Sequence, residues 1–270
     1  MASNARIIVV GNEKGGTGKS TVAMHLLMLL TRHGVRAAGL DLDARQATLS
    51  RYVENRRRRG ERDPHPLAVP ALAAVPPDSG TDAFGAALED VARAADVVVI
   101  DTPGADTPLS RAAHIAADLL VTPLNDSFID LDVLAQVDPV KMRIDRLSHY
   151  SEMVWEARKR RALAGLRATD WFVMRNRLSS LDARNKREME RLLGELSRRV
   201  GFRLVEGLGE RVIYRELFLD GLTLLDLGDE GTAGTLTLSH VAARQELRRL
   251  AFSLGLAADT PPSEGVSDSA

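Results

Sequence analysis

Short runs of apolar residues alternate along this chain with longer segments in which apolar residues recur every three or four positions. A run without polar positions is typical of a strand buried on both faces of a parallel sheet. Such runs predict strands over 6–10, 35–42, 96–100, 118–123 and 170–174. The longer segments predict helices over 20–33, 46–59, 82–94, 109–117, 129–137, 154–166, 182–200 and 238–254. This alternation indicates an α/β fold, a doubly wound and mostly parallel sheet flanked by helices.

Several stretches depart from the alternation. Proline is frequent over 63–80, and we expect a surface insertion there because proline fits neither a regular helix nor a central strand. Residues 205–219 predict a turn and a helix, and 221–227 a short edge element. Residues 257–270 are polar and acidic with two prolines, which predicts a disordered tail. We therefore expect one domain over 1–256, followed by that tail.

The loop between the first predicted strand and helix has the composition of a phosphate-binding loop. It reads Gly-Asn-Glu-Lys-Gly-Gly-Thr-Gly-Lys-Ser-Thr over residues 11–21. Gly15, Gly16 and Gly18 allow a tight turn that brings backbone N–H groups against phosphate oxygens, and the helix directs its positive end at the same anion. Lys19 is then placed for the β- and γ-phosphates of a nucleotide.

Three further residues refine this prediction. The Ser20 hydroxyl stands where such a loop supplies a ligand to Mg²⁺. Glu13 occupies a position at which the generic pattern has glycine, and Lys14 adds a second lysine at the mouth of the loop. Two ammonium groups in one small loop are costly unless an anion neutralises both, and a nucleotide provides that anion. The sequence therefore predicts the deviant form of the motif.

Polar residues follow three of the predicted strands at their carboxyl ends, where open α/β sheets bind ligands. Asp41 and Asp43 end the second strand, and we expect one of them to act in the chemistry. Asp101 closes a buried strand ahead of Thr-Pro-Gly, an arrangement that holds Mg²⁺ through water beside a phosphate loop. Asn176 can offer a donor and an acceptor to a purine edge, and the chain lacks the Asn-Lys-x-Asp element that would indicate guanine.

The predicted helix over 182–200 has one cationic face. At 100° per residue, four arginines fall within an arc of about 60°, and apolar residues occupy the far side. They are Arg184, Arg187, Arg191 and Arg198, and Arg199, Arg203, Arg211 and Arg215 lie nearby in sequence. The face suits a DNA backbone, while glutamates on the same helix suit a merely solvated surface; the nearby arginines favour DNA. The arginine run over 56–59 is more typical of a solvated helix end than of a binding site.

Composition excludes several classes of protein. The 270 residues carry 36 basic and 37 acidic side chains, a net charge of −1, so DNA binding must come from local clusters. The absence of cysteine excludes disulfides, thiolate zinc sites and cysteine-ligated iron–sulfur clusters. The first residues lack a signal-peptide pattern, and the acidic tail lacks the cationic amphipathic pattern of a membrane-targeting helix. We expect a cytoplasmic protein that does not bind membranes.

These motifs resemble those of the ParA/MinD branch of deviant P-loop ATPases and, within it, look most like those of the MipZ group, which positions the division plane. The likeness covers about residues 6–256. The whole branch shares the glycine-rich loop, Asp-Leu-Asp at 41–43 and Ile-Asp-Thr-Pro-Gly at 100–104. The MipZ group is singled out by Pro-Leu-Asn-Asp-Ser-Phe at 123–128, Trp-Glu-Ala-Arg-Lys at 155–159, Arg-Asn-Arg at 175–177 and Arg-Val-Ile-Tyr-Arg-Glu-Leu-Phe at 211–218.

The resemblance implies roles for loop residues around bound ATP. Lys14 would contact phosphates in an ATP-bound dimer, and Lys19 would grip the β- and γ-phosphates. Ser20 would bind Mg²⁺, and Thr21 would touch the α-phosphate within a binding loop that also includes Thr17.

It also implies roles for residues outside the loop. Asp43 would position the attacking water, Asp101 would support the metal through water, and Asn176 would lie at the adenine. The implied reaction is slow, Mg²⁺-dependent hydrolysis of ATP to ADP and phosphate. ATP would form a homodimer, in which a side chain at Gly16 would crowd the facing subunit, and hydrolysis would return a monomer.

Partners follow from the resemblance in the same way. It implies non-specific binding of the dimer to DNA, inhibition of FtsZ and recruitment by ParB, in a nucleoid-associated protein concentrated toward the cell poles. The alternatives are a ParA-type chromosome or plasmid partition ATPase, a MinD-like membrane switch, which the tail disfavours, and an ATP-dependent biosynthetic enzyme on the same fold.

Overall fold

The computed structural model of the chain describes residues 5–43, 45–63, 67–125, 127–138, 140–176, 183–228 and 237–256, without the side chains of 183–186. The strands are β1 (Arg6–Val10), β2 (Ala37–Asp41), β3 (Ala71–Ala74), β4 (Val97–Asp101), β5 (Leu119–Asn125), β6 (Ala135–Asp138), β7 (Arg143–Leu147), β8 (Asp170–Asn176) and β9 (Arg203–Glu206). The helices are α1 (Lys19–Arg32), α2 (Thr48–Gly60), α3 (Gly80–Ala94), α4 (Pro108–Ala116), α5 (Phe128–Leu131), α6 (His149–Leu163), α7 (Ala183–Leu196), α8 (Ile213–Asp220) and α9 (Leu238–Ser253), and a π-helical turn (Ser197–Gly201) follows α7.

Seven strands form one parallel sheet in the order β3-β2-β4-β1-β5-β8-β9, which confirms the predicted fold class. The register sets Val10 of β1 and Asp41 of β2 opposite Asp101 of β4. Three strands therefore end level with one another. Their carboxyl ends bring the glycine-rich loop and two aspartates to one edge of the sheet, where ligands bind in such folds.

Helices cover both faces of the sheet. One core lies under α1, α2, α8 and α9, and the other under α3, α4, α6 and α7. The apolar side of α7 was predicted correctly, because Met189, Leu192, Leu193, Leu196 and Val200 are all buried. Each such side chain stabilises the fold by about 1.5–3 kcal/mol. None of the helices in the described ranges has the length and apolar character to cross a membrane.

The prediction of a helix over 129–137 was wrong. Within that range only residues 129–131, the end of α5, are helical, and β6 pairs with β7 as a separate antiparallel hairpin. A helix turn followed by a strand of four residues is too short for either period to be recognised in the sequence. Met142, between the two strands, has a φ of 46°, the left-handed conformation that a tight connection requires.

Both edges of the main sheet differ from the expectation. The proline-rich passage over 63–80 contributes β3, an edge strand on β2, although only an insertion was predicted. Residues 221–227 form turns rather than an edge element, and β9 forms the other edge from residues 203–206. Strands of four residues give little periodicity to recognise. The predicted tail over 257–270 lies outside the described residues.

The arginine run at the end of α2 is not uniformly solvated. Arg56 is 1% exposed, and its guanidinium donates two hydrogen bonds to Asp226, of 2.9 and 2.8 Å. It also donates to the carbonyls of Ala68 and Gly221. The interpretation of the run as a helix end in solvent therefore fails for this residue, because a buried carboxylate from a distant loop meets it.

Candidate nucleotide-binding site

The loop after β1 adopts a conformation that depends on glycine. Gly16 and Gly18 have φ values of 74° and 89°, and Gly18 caps α1. Residues with a Cβ are disfavoured in this left-handed region. The turn leaves the amino-terminal end of α1 open toward the cleft above the sheet, an arrangement that attracts anions.

Buried polar side chains hold the start of the loop from below. The Tyr150 hydroxyl donates to the carbonyl of Gly11 at 2.8 Å and also contacts the Thr122 hydroxyl at 2.8 Å. The Asn12 amide donates to the carbonyl of Pro123 at 2.7 Å. Tyr150 and Thr122 were not singled out in the sequence, because only the fold brings β5 and α6 under the loop.

Lys19 rises from the floor of the cleft. It is 7% exposed, and its Nζ donates to the carbonyl of Lys14 at 2.8 Å. Burial lowers the pKa of Lys19, and the carboxylates of Asp101 and Asp43 counteract this. The ammonium is thus fixed across the loop at the cleft, and its grip on the β- and γ-phosphates stays a prediction.

Lys14 points elsewhere. Its ammonium forms an ion pair with Asp130 of α5, which is 3% exposed, and donates to the carbonyl of Ile129 at 3.4 Å. A nucleotide was expected to neutralise both lysines. In this single chain the carboxylate of Asp130 neutralises Lys14 instead, a pairing that was not predicted.

The two aspartates after β2 have different positions. Asp41 is fully buried and accepts hydrogen bonds from the backbone N–H and hydroxyl of Ser50, at 2.9 and 2.6 Å, and from the N–H of Asp43 at 3.0 Å. Asp43 lines the cleft. Asp41 therefore shapes the start of α2, and Asp43 is the one available for chemistry.

Asp101 has the properties of a magnesium-supporting carboxylate. It is fully buried, and neither carboxylate oxygen has a well-formed hydrogen bond among the described residues. Burial raises the pKa of Asp101, and the Ser20 hydroxyl and Lys19 lower it only in part. The Ser20 hydroxyl as an oxygen ligand, with Asp101 acting through water, would suit Mg²⁺.

Gly104 explains the Thr-Pro-Gly sequence after Asp101. A Cβ on Gly104 would lie 2.9 Å from the backbone nitrogen of Gly15. The metal-side turn and the phosphate loop therefore touch backbone to backbone. A larger residue at Gly104 would push them apart.

Two hollows meet above the loop. The phosphate cleft, of about 720 Å³, is lined by Gly15, Gly16, Lys19, Ser20 and Asp43 among others. The base pocket, of about 510 Å³, is lined by Asn176, Leu208, Arg211, Tyr214 and Arg215 among others. Gly18, Thr21 and Thr48 belong to both. The site therefore has room for a triphosphate at one end and a base at the other.

Asn176 holds the loop as well as lining the base pocket. Its amide nitrogen donates to the carbonyl of Thr17 at 2.7 Å, and its oxygen accepts from the N–H of Leu208 at 3.2 Å. A Cβ on Gly18 would lie 2.6 Å from that nitrogen. One N–H and one lone pair are left for a base.

The structure divides the predicted DNA arginines among three places. Arg184, Arg187, Arg191 and Arg198 lie along α7 and its π-helical turn together with Arg199, and the Arg184 side chain is outside the described residues. Arg203 begins β9 at the edge of the sheet opposite the loop and pairs with Asp170. Arg211 and Arg215 line the base pocket, where Arg211 pairs with Glu246. They do not form one surface.

A glycine-rich loop that runs from a central parallel strand into a helix, with a buried carboxylate on the next strand, defines a P-loop nucleotide-binding protein. The chain belongs to the MipZ family, because the model of the family described as ATPase MipZ matches residues 6–258. The family is one of ATPases.

Relatives and solved structures agree with this class. The chromosome-partitioning ATPase Soj of Thermus thermophilus is 30% identical over 152 residues, 50% of this chain and 61% of that protein. The chain thus spans about three fifths of that relative's length. An McdA variant of Cyanothece in complex with ATP has a TM-score of 0.64 at 17% identity, over 96% of this chain and 100% of the other. MinD of Pyrococcus horikoshii with Mg-ADP has a TM-score of 0.53 at 18% identity, over 92% and 97%. These two structures share the fold.

Proposed function

We propose that this protein is an ATP-dependent dimerisation switch that binds chromosomal DNA non-specifically and inhibits FtsZ assembly to position the division plane, with recruitment by ParB. The observation that carries the proposal is the pair of adjoining cavities, the phosphate cleft and the base pocket, in a chain of the MipZ family. FtsZ, ParB and concentration on the nucleoid toward the cell poles come from the family alone.

The residues in the cleft have complementary tasks in hydrolysis. Lys19 and the loop N–H groups bind the phosphates, Thr21 lies at the α-phosphate, and Asp43 orients the attacking water. Ser20 would hold Mg²⁺ directly and Asp101 would hold it through water, and the ion would neutralise charge that develops on the phosphate oxygens. Asn176 adds contacts at the adenine with its remaining N–H and lone pair.

Lys14 supplies the switch. Gly15 and Gly16 are exposed beside it, and a Cβ on either would meet nothing within 4 Å in this chain, which leaves room for a facing subunit. The triphosphate of that subunit carries more charge than the single carboxylate of Asp130, so it draws Lys14 across the interface. Hydrolysis removes the γ-phosphate, and the interface loses its central attraction.

The switch is tested by Asp43→Ala. Without the residue that positions the water, hydrolysis stops, and the ATP-bound dimer persists. Light scattering should give a dimer with ATP and a monomer with ADP for the variant, whereas the wild type should return to monomer as ATP is consumed. A monomer in the presence of ATP would contradict the proposal.

The α7 face is the proposed DNA surface. Arg187 and Arg198 are exposed and have no hydrogen bond or ion pair within the described residues, while Arg191 forms an ion pair with Glu188. Charge reversal, Arg191→Glu with Arg198→Glu, should abolish a salt-sensitive shift of arbitrary duplex DNA. Arg93→Glu, at an exposed arginine of α3 paired with Asp90, is the matched control. Unchanged DNA binding by the double variant would remove α7 from the site.

A chromosome-partitioning ATPase is the second candidate, favoured by the likeness to Soj. It shares the cleft and the DNA surface and differs in partner. Co-sedimentation with FtsZ polymers separates the two, because only the division-positioning function requires binding of the ATP-bound dimer to FtsZ or a loss of polymer.

A further inference from the structure

Arg45 lies in the phosphate cleft and has no part in the steps above. It lines the cleft together with Lys19, Ser20 and Asp43. Its side chain is exposed, and within the described ranges it makes no hydrogen bond or ion pair. A solvated guanidinium at the rim of an anion-binding cleft is available to a ligand.

The turn that carries Arg45 is fixed from both ends. Before it, the N–H of Asp43 is bound by the buried carboxylate of Asp41 at 3.0 Å. After it, the N–H of Ala47 donates to the carbonyl of Asp43 at 2.6 Å, and Ser50 donates twice to Asp41. Arg45 therefore lies between two residues, Asp43 and Ala47, that are held by hydrogen bonds.

The backbone of this turn is strained. Ala47 has a φ of 47°, a left-handed conformation that is disfavoured for a residue with a Cβ. Such strain persists only where the surroundings impose it, and it gathers at ligand-binding sites. Here the N–H of Ala47 is bound to the carbonyl of Asp43, and Asp43 and Arg45 line the same cleft.

The charges around the cleft leave this side without another lysine or arginine. Lys19 extends from the loop at the floor, and Lys14 is paired with Asp130 outside the cleft lining. Arg45 is the one arginine among the residues that line the phosphate cleft in the described part of the chain. A guanidinium presents paired N–H donors that match two oxygens of one phosphate group.

We infer that Arg45 binds the terminal phosphate of the nucleotide held in its own chain. The inference rests on the proposed function, and it adds the residue that distinguishes ATP from ADP before a second subunit arrives. A cation that meets only the γ-phosphate strengthens binding of ATP and leaves binding of ADP unchanged.

The test compares nucleotide affinities of Arg45→Ala and Arg45→Lys by titration calorimetry in Mg²⁺, with a non-hydrolysable ATP analogue and with ADP. Arg45→Ala should weaken the ATP analogue by about tenfold, the loss of one charge-assisted contact, and change ADP by less than about twofold. Arg45→Lys should recover part of the lost affinity for the ATP analogue, because lysine keeps the positive charge but lacks the paired N–H donors of the guanidinium. Arg57→Ala, at an exposed arginine of α2 paired with Glu54, is the control and should match the wild type.

Three results would overturn the inference. Equal weakening of both nucleotides would assign Arg45 to the shape of the loop, and no change would remove it from the site. A loss that appears only at protein concentrations that support dimerisation would assign it to the partner's nucleotide. A wild-type protein that binds neither nucleotide would overturn the proposed function itself, and that result is distinct from the others.

Discussion

The end of α2 and the outer face of α7 are both rich in arginine, and the fold uses them in opposite ways. Arg56 is buried against Asp226, which lies 170 positions further along the chain. Arg191 of α7 and Arg199 of the π-helical turn lie at the surface and pair with Glu188 and Glu195 of α7. The role of an arginine is therefore set by the carboxylates that the fold brings to it. The arginine count of a segment does not reveal that role.

Removal of the buried arginine should give the largest effect. Arg56→Ala leaves the carboxylate of Asp226 buried without its main partner, and we expect a loss of about 3–5 kcal/mol in the free energy of unfolding. Urea denaturation of the variant and the wild type measures this loss. Arg57→Ala, one residue on at the surface, should change the free energy of unfolding by less than about 0.5 kcal/mol. Similar losses in the free energy of unfolding for the two variants would show that the buried and the exposed arginine contribute equally to stability.

The second largest effect is expected at low pH, where protonation should lower the free energy of unfolding. His25 is fully buried beside that arginine pair; its Nδ1 donates to the carbonyl of Thr21 and its Nε2 accepts from the N–H of Leu224. Burial lowers the pKa of His25 to about 4. Between about pH 6.5 and pH 4 the unfolded chain binds a proton that the folded chain refuses, so stability is complete at pH 7 and falls on acidification. We expect a loss of about 2 kcal/mol from this residue at pH 5.

The measurement is urea denaturation at pH 7 and pH 5 for the wild type and His25→Gln. Burial also lowers the pKa of His114 to about 4, so that residue contributes in the same direction. Burial raises the pKa of the Asp101 carboxyl, which acts in the opposite direction in both proteins, so the variant is compared with the wild type. Between pH 7 and pH 5, His25→Gln should lose about 2 kcal/mol less in the free energy of unfolding than the wild type. An unchanged pH dependence in this variant would mean that His25 is not the group that titrates.

The exposed face should give the smallest change in stability. Arg198→Ala is expected to alter the free energy of unfolding by less than about 0.5 kcal/mol. The same variant should reduce the slope of log affinity for DNA against log salt by about 1, because one phosphate contact is lost. A destabilised variant would show that Arg198 supports the fold as Arg56 does. An unchanged slope would show that Arg198 does not contact DNA.

The part of the site that could be predicted is the part built from one strand and the residues that follow it. Lys19 and Ser20 begin the helix that follows β1, and Asp101 ends β4. A parallel sheet brings the carboxyl ends of such neighbouring strands together. The partners of these residues were harder to foresee. Asp130 meets Lys14 only because α5 is a short helix, and Tyr150 reaches the loop only through the packing of α6.

The fold follows the same division. Long apolar runs predicted five parallel strands with small shifts at their ends, and the buried face of α7 was predicted from its helical period. Short elements failed, because four residues of β3, β6 or β9 do not distinguish one period from another. Asn176 forms hydrogen bonds with both Thr17 and Leu208. The bond to Leu208 depends on the loop after β9, which no local sequence pattern predicts.

Both edge strands of the main sheet are short. β3 and β9 each have four residues, and the chain runs into Pro76 and Pro77 just after β3. Short margins with proline beside them are poor templates for strand addition by a neighbouring molecule. Self-association along the sheet, which would proceed without limit and without regard to nucleotide, is thereby discouraged. Two copies can then pair only through the face that carries the nucleotide cleft. There a bound triphosphate would start the pairing, and hydrolysis of the triphosphate would end it.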